Sequence, residues 1–326
     1  MGERKYTDVF KINSNTRFTD VKNIIYDIKT IFFDEKNLFI EKYNSKHIDN
    51  ATLKDFVPQL RFGEGSFRTV ALANHRRKSE QFIVHLLFKF QDHANLYLCL
   101  EFIGGEEIFI EISLIGIEGN EFSKNKRSSH TLAFEYLQYL DICHRDLKPE
   151  NCLTNYDGYV KLTDFGFAKI VSDRTYTLCG TAQYLASEIL SNRGVDWWCL
   201  GIYLYELNAG FSPFHALDHT TFYSLILRCE YKFPKHFKAD LKSIIRQLLQ
   251  IDITKRFVCL AIGALDIKNH VYFQRINWLA LYEKRVQSEY KPSLKKGYEY
   301  EYFEEKKDFT LAKSSVCLYE KEFEDF

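Results

Sequence analysis

The residues best suited to carry chemistry lie in one stretch, residues 143–169, which reads CHRDLKPENCLTNYDGYVKLTDFGFAK. Asp146, Asn151 and Asp164 supply carboxylate and amide oxygens there. Strand-forming residues on both sides of Tyr156-Asp157-Gly158 predict a β-hairpin, because the glycine supplies the positive φ that a tight turn needs. A hairpin returns the chain near its start, so Asn151 and Asp164 should lie close together. Clustered oxygen ligands of this kind suit Mg²⁺ and a phosphate-bearing substrate.

Two helices are expected to hold this hairpin in place. Residues 128–140 carry apolar side chains at helical spacing and lead directly into the stretch. A second, strongly apolar helix opens at Asp196-Trp197-Trp198 and continues through Leu207. We expect it to be a buried scaffold, with Asp196 bonded back to the backbone of the chemical stretch.

The composition indicates a soluble, intracellular protein with a sizeable core. The chain has 326 residues, of which 46% are hydrophobic, and its formal net charge is zero. This charge balance argues against nucleic acid and against a membrane surface as partners. Eight cysteines without C-x-x-C spacing, and an opening without a signal peptide, favour free thiols in a reducing compartment, the cytoplasm or nucleus. No apolar run has the length of a membrane span.

The first residues have their own pattern. Met1 to Tyr6 superficially resemble an N-myristoylation signal, but Tyr6 stands where Ser or Thr is required. Residues 19–32 then predict an amphipathic helix, with apolar residues at helical spacing from Val21 to Phe32. We expect this helix to pack on a larger body, and residues 44–51 to form a polar linker.

The motifs HRD-x₄-N and DFG occur as a pair in protein kinases. With the phrases TDFGFAK, RTYTLCGT, VDWW, TKRF and DIKNH, the chain from Leu53 to Phe326 resembles the catalytic subunits of cAMP-dependent protein kinases, in the AGC group. The resemblance implies an α+β, two-lobed protein-kinase fold, with a truncated β-rich N-lobe and an α-helical C-lobe. It divides the chain into an N-terminal helix and linker (1–52), the N-lobe (53–103), the C-lobe (104–273) and an AGC-type tail (274–326).

A damaged glycine-rich loop precedes these motifs. Gly63, Gly65 and Val70 match the kinase pattern G-x-G-x-x-G-x-V, but Arg68 stands where the third glycine belongs. Glycines let backbone N–H groups approach phosphates without a Cβ in the way. Arg68 is expected either to hold the loop less flat or to touch phosphate itself.

The resemblance also exposes a gap in the N-lobe. Residues 82–106 align with the fourth and fifth strands and the hinge, which leaves eleven residues after Val70 for a third strand and a helix. Eleven residues are too few for both. An alternative alignment makes Phe82 to Leu87 the third strand and puts His85 at the lysine position. On either alignment the phosphate-holding Lys and its partner Glu are absent.

The remaining roles are implied by the resemblance. Asp146 would accept or orient the substrate hydroxyl proton, Lys148 would steady the γ-phosphate of ATP, and Asn151 with Asp164 would hold Mg²⁺. The residues implied to contact the nucleotide are Gly63, Gly65, Val70, Glu106, Leu153 and Thr163.

Four further residues concern regulation and substrate. Thr177 corresponds to the activation-loop phosphosite. Glu150 and Glu206 correspond to positions that bind arginines preceding the target Ser or Thr. Gln183 replaces a third acid, so a preference for basic substrates should be weakened.

Three hypotheses follow for the function. The first is a cAMP-dependent-type Ser/Thr kinase that acts on protein substrates with low activity. The second is a catalytically inactive pseudokinase that binds a cAMP-binding regulatory subunit or a pseudosubstrate inhibitor through its C-lobe. The third is the product of a decayed gene copy that never folds stably.

Overall fold

The computed structural model describes residues 58–65, 68–73, 82–92, 94–105, 108, 124–171, 194–258 and 263–286, the first two ranges as backbone only. The predicted N-terminal helix, Glu106, Thr177 and residues 287–326 of the predicted C-terminal tail lie outside these residues. In the part of the chain that the structure describes, no helix is long and apolar enough to cross a membrane.

Within the described residues, eight strands form four antiparallel pairs. They are β1 (Pro58–Gly65), β2 (Arg68–Ala73), β3 (Leu86–Gln91), β4 (Leu96–Leu100), β5 (Ile142–Cys143), β6 (Cys152–Thr154), β7 (Val160–Leu162) and β8 (Lys169–Ile170). β1 pairs with β2, β3 with β4, β5 with β8 and β6 with β7. Each strand is short and polar turns separate the hairpins, as the sequence pattern indicates.

The β3–β4 hairpin occupies the segment that aligns with the fourth and fifth kinase strands. Leu86 pairs with Leu100 and Gln91 with Leu96, and Asp92 closes the turn by accepting hydrogen bonds from the backbone N–H groups of Ala94 and Asn95. The alternative alignment, with a third strand beginning at residue 82, is wrong, because the strand begins only at Leu86.

The residues that precede β3 bind the β6–β7 hairpin instead. Ile83 forms a parallel bridge with Leu162. Val84 N donates to Leu162 O, and Leu162 N donates to Phe82 O, both at 2.9 Å. Phe82 is buried in a small cluster with Tyr159 and Leu281. The β3–β4 hairpin is thus fixed to the larger body of the protein at its base.

One face of the β3–β4 hairpin is open to solvent. Leucines alternate with half-buried residues along β4 because successive strand residues point to opposite sides. The exposed side chains are Leu86, Leu96, Leu98 and Leu100, with exposed fractions between 42% and 58%.

Helices make up most of the remainder. They are α1 (Lys124–Tyr139), α2 (Val195–Ala209), α3 (His219–Arg228), α4 (Ala239–Leu248), α5 (Leu265–Lys268) and α6 (Trp278–Tyr282). α2 is buried along nearly its whole length, as its continuous apolar sequence predicts. Trp198 stacks on Phe214 with ring centroids 5.8 Å apart. The core around α2 also includes buried residues of the 143–169 stretch, so this stretch packs directly on it.

The predicted truncation of the N-lobe concerns residues between β2 and Phe82. β2 continues to Ala73, which leaves residues 74–81, and these lie outside the described residues.

Candidate active site

The loop that carries Asp146 is held from below by Asp196, at the start of α2. Asp196 is buried, and its two carboxylate oxygens accept the backbone N–H groups of His144 (2.9 Å) and Arg145 (2.8 Å). Arg145 has a left-handed backbone, φ 67°, a costly conformation for a residue with a Cβ. These two bonds hold the loop in that conformation, and the predicted bonding of Asp196 is confirmed.

Asp146 lies at the centre of the site with only 1% of its surface exposed. Asn151 Nδ2 donates to Asp146 Oδ2 at 2.9 Å and to Asp146 O at 2.8 Å. Lys148 Nζ lies 3.0 Å from the same Oδ2 atom. A buried carboxylate needs such partners to remain charged, and a charged carboxylate is the form that accepts a proton.

His144 connects the two motifs. Its Nε2 lies 3.0 Å from Thr163 O and its Nδ1 lies 3.3 Å from Asp146 N, which fits a neutral ring that donates from Nε2 and accepts at Nδ1. Burial lowers the pKa of His144, opposed by the nearby Asp196 carboxylate. The ring also packs edge-on against Phe165, with centroids 4.8 Å apart.

The β6–β7 hairpin brings Asp164 back beside the loop, as the sequence predicts. Gly158 adopts φ 79° in the turn, and Thr163 N donates to Asn151 O at 2.9 Å. Asp164, the next residue, has a left-handed backbone, φ 61°, and its Oδ1 accepts the backbone N–H of Gly166 at 3.2 Å. Both ends of the hairpin therefore meet at the same point.

Asn151 and Asp164 have the donor atoms that a magnesium site needs. Because Asn151 Nδ2 makes both bonds to Asp146, its amide oxygen is the atom that remains to be a ligand. Mg²⁺ prefers such oxygen donors and usually completes its shell with water and substrate phosphates. In the described ranges no three His, Cys, Asp or Glu side chains group as a metal site.

The predicted nucleotide-contacting residues lie in several elements. Gly63 pairs with Val70 and Gly65 with Arg68 across the β1–β2 hairpin. Leu153 and Thr163 are half-buried, at the strand and the end of the β6–β7 hairpin. Glu106 lies outside the described residues, so its predicted contact, with the ribose or with a basic substrate side chain, stays a prediction.

The residues predicted to bind substrate have different environments. Glu150 is exposed on the short helix Pro149–Asn151, and Glu206 is half-buried near the end of α2. Thr177 lies outside the described residues. Lys169 is exposed in β8, the strand that leads to that segment. Arg145, in the loop that carries Asp146, bonds close to β8, where its Nε donates to Phe167 O at 2.7 Å.

A buried ion pair beside the site was not among the residues predicted from the sequence. Lys161 Nζ lies 2.6 Å from Glu101 Oε1, with the Lys161 side chain 1% exposed. A lysine between Val160 and Leu162 in a strand was the available signal. Leu153 and Lys161 are direct partners in the β6–β7 hairpin, so they share a face of it.

A buried carboxylate, an Asn–Asp pair with the oxygen donors that Mg²⁺ prefers and a buried helix beneath them form an arrangement typical of protein kinase domains. The sequence pattern of the protein kinase domain matches residues 59–273, more than half of the chain. The chain belongs to the protein kinase domain family.

Its relatives include catalytic subunits of cAMP-dependent protein kinases. The subunit of Dictyostelium discoideum is 44% identical over 217 residues, covering 65% of this chain and 34% of that protein. The type 3 kinase of Saccharomyces cerevisiae is 38% identical over 223 residues, covering 67% and 56%. Catalytic subunit 2 of Drosophila melanogaster is 38% identical over 219 residues, covering 65% and 62%. The chain thus spans less than two thirds of the length of these relatives.

Proposed function

We propose that this protein is a cAMP-dependent-type Ser/Thr kinase that transfers the γ-phosphate of ATP to proteins in a basic sequence context. The observation that carries the proposal is the environment of Asp146. This carboxylate is buried, hydrogen-bonded to Asn151 and paired with Lys148. It is positioned to take the proton of a substrate hydroxyl, the task of the acid in the kinase catalytic loop.

The neighbouring residues have complementary roles in this proposal. Lys148 carries the positive charge nearest to the acid and would attract the transferring phosphoryl group. Asn151 orients Asp146 through Nδ2 and presents its amide oxygen to Mg²⁺, together with Asp164. A bound Mg²⁺ would neutralise charge on the phosphates. His144 links the loop to the end of β7 through the contact of its Nε2 with Thr163 O.

We also propose that the activity is low because the N-lobe is truncated. Only eight residues, 74–81, separate the end of β2 from Phe82. As a helix, eight residues span about 12 Å, which leaves no room for a strand as well. The resemblance requires a lysine and a glutamate from those two elements. Loss of one preorganised cationic group typically lowers the rate about 10²–10³-fold.

The test is phosphate transfer from Mg·ATP to a basic serine peptide, measured for the wild type and for Asp146→Ala. We expect a slow but measurable rate for the wild type and none for the variant. Equal background rates in the two proteins would remove the kinase proposal. A cooperative unfolding transition of the purified protein is expected in the same preparation, and its absence would favour a chain that never folds stably.

The second candidate is a pseudokinase that binds a regulatory subunit or pseudosubstrate through the C-lobe. The observation that favours it is a group of exposed apolar side chains on α3 and on the loop that precedes it. Their exposed fractions lie between 44% and 103%, and they are Phe211, Leu217, Tyr223 and Leu227. Exposed apolar side chains in one region are typical of protein-binding surfaces.

Binding and turnover separate the two candidates. A pseudokinase should bind a pseudosubstrate-type protein with the same affinity in wild type and Asp146→Ala, without phosphate transfer in either. Leu227→Asp should weaken that binding, whereas Leu98→Asp, on the distant β4 strand, should not. Transfer that depends on Asp146 would decide for the kinase.

A further inference from the structure

Lys161 forms a buried ion pair that the kinase motifs do not account for. Its side chain lies in the middle of β7, and Nζ bonds Glu101 Oε1 at 2.6 Å, with 12% of the Glu101 side chain exposed. Burial lowers the pKa of Lys161, opposed by the bond to Glu101. A charge is kept in such a place only with a well-placed partner, and loss of either partner leaves the other uncompensated.

Glu101 joins three segments through this one carboxylate. The same Oε1 atom accepts the backbone N–H of His85 at 2.8 Å, and Glu101 N donates to His85 O at 2.9 Å. His85 directly precedes β3 and Glu101 directly follows β4. The carboxylate therefore closes the open end of the β3–β4 hairpin and connects that end to β7.

The segment after Glu101 touches the β6–β7 hairpin at a second point. Gly104 is buried, and a Cβ added there would lie 1.7 Å from Tyr156 Oη, at the tip of the hairpin. Only glycine lets the chain approach the Tyr156 ring so closely. Residues 101–104 are thus attached to the β6–β7 hairpin at both ends, by the Lys161 ion pair and by the Gly104 contact.

This attachment matters because the β3–β4 hairpin has little packing on its outer face. Leu98 and Leu100 are 58% and 48% exposed there. The hairpin is held instead by the backbone bonds of Phe82 and Val84 to Leu162 and by Lys161, the residue next to Leu162. Removing the ion pair should loosen residues 101–104 more than the rest of the protein.

We propose that Lys161 is a positioning residue for nucleotide binding, which acts through Glu101 to fix residues 101–104 over Leu153. Leu153 is the cross-strand partner of Lys161 and is predicted to contact the adenine base. The resemblance predicts that residues 101–106 form the hinge whose backbone meets the adenine edge. The proposal rests on the proposed ATP-dependent function. It adds that the ion pair between β7 and the residue after β4 sets the distance between the predicted hinge and Leu153.

The test compares Lys161→Met and Glu101→Gln with Lys268→Met, which breaks a buried ion pair between two other elements, α5 and α1. Affinity for a fluorescent ATP analogue with Mg²⁺ is measured below the unfolding temperature of every variant. We expect both hinge variants to bind about tenfold more weakly, a change of 1.4 kcal/mol. Lys268→Met should bind as the wild type does, although it also loses stability. The double variant Lys161→Met/Glu101→Gln should be no weaker than either single variant, because the two residues act as one pair.

A second readout does not depend on nucleotide. Hydrogen exchange at the His85 amide should accelerate in Lys161→Met and Glu101→Gln and stay unchanged in Lys268→Met. If the wild type binds no nucleotide but exchange accelerates as expected, the proposed function fails and the structural role of Lys161 stands. Unchanged exchange, or wild-type nucleotide affinity in both hinge variants, would overturn the inference. Should Lys161→Met fail to fold, Lys161→Gln keeps a donor for Glu101 and is expected to show a smaller loss in the same two measurements.

Discussion

Asn151 binds Asp146 twice through a single nitrogen atom: Nδ2 donates to Asp146 Oδ2 at 2.9 Å and to Asp146 O at 2.8 Å. The first bond orients the carboxylate, and the second fixes the backbone that carries it. Because the amide nitrogen faces Asp146, the amide oxygen faces away from it. One side chain thus links the predicted base to the predicted Mg²⁺ site.

Asn151→Ala should therefore affect stability and metal dependence together. Loss of two hydrogen bonds to a buried, charged group should lower the free energy of unfolding by about 2–4 kcal/mol. The variant should also need more Mg²⁺ for half-maximal nucleotide binding. Denaturant unfolding and an Mg²⁺ titration measure the two effects.

Asn208→Ala is the matched control for this change. Asn208 Nδ2 donates to a single backbone oxygen, that of Leu204, inside α2. Its loss should cost stability without any change in the Mg²⁺ requirement. If the Mg²⁺ requirement of Asn151→Ala equals that of the wild type, Asn151 is not a metal ligand.

The buried His144 ring should make stability depend on pH. Burial holds the folded-state pKa of His144 below the value of about 6.5 expected in the unfolded chain. As the pH falls below about 6.5, the unfolded chain binds a proton before the folded protein does, so the folded state loses stability. Above that pH both states carry a neutral ring and His144 makes no pH-dependent contribution.

A comparison with His144→Gln isolates this effect from the other histidines. The difference in the free energy of unfolding between wild type and variant should be constant above pH 7 and should shrink between pH 6.5 and 5. Urea unfolding at each pH measures it, with His215→Gln at an exposed position as control. A difference that grows towards acid pH would contradict the burial argument.

Glu150 and Glu206 should select basic peptides if the kinase proposal holds. Glu150 is exposed near the catalytic loop and Glu206 is half-buried on α2. Glu150→Gln or Glu206→Gln should weaken the binding of an arginine-containing serine peptide about two- to fivefold, and should weaken the binding of its alanine-substituted analogue much less. Fluorescence polarisation measures the affinity without turnover. Glu230→Gln, also exposed, is the control, and equal losses for both peptides would argue against a role in selectivity.

The sequence predicts the chemical stretch well because its signals are local. The turn at Tyr156-Asp157-Gly158 fixes the β6–β7 hairpin, and the hairpin alone brings Asn151 to Asp164. The apolar run that begins at Val195 indicates α2 in the same way, because a helix that is apolar on all sides has to be buried. These features depend on residues that are near one another in the chain or on a continuous composition.

Contacts between distant, individually unremarkable residues could not be predicted. Lys161 and Glu101 are 60 positions apart, and a lone lysine or glutamate usually faces solvent. The two residues are brought together where Ile83 forms its parallel bridge with Leu162. No turn residues in the sequence predict that long-range contact. Such ion pairs form only when separate hairpins pack together, so the sequence pattern of either hairpin alone does not predict them.

The same reasoning applies to a second buried ion pair, between Glu135 of α1 and Lys268 of α5. Both side chains are largely buried, and Lys268 Nζ also lies 5.4 Å from the centre of the Trp278 ring. Lys268→Met or Glu135→Gln should lower the free energy of unfolding by about 3–5 kcal/mol, because each leaves a buried charge without its partner. The double variant Glu135→Leu/Lys268→Met should lose much less than the sum, since it removes both charges. Denaturant unfolding of the four proteins gives the coupling.

The control is Lys255→Met, which breaks the exposed ion pair with Asp252. This variant should change the free energy of unfolding by less than about 1 kcal/mol. Additive losses at Glu135 and Lys268 would mean that the two helices are held together by packing rather than by this pair.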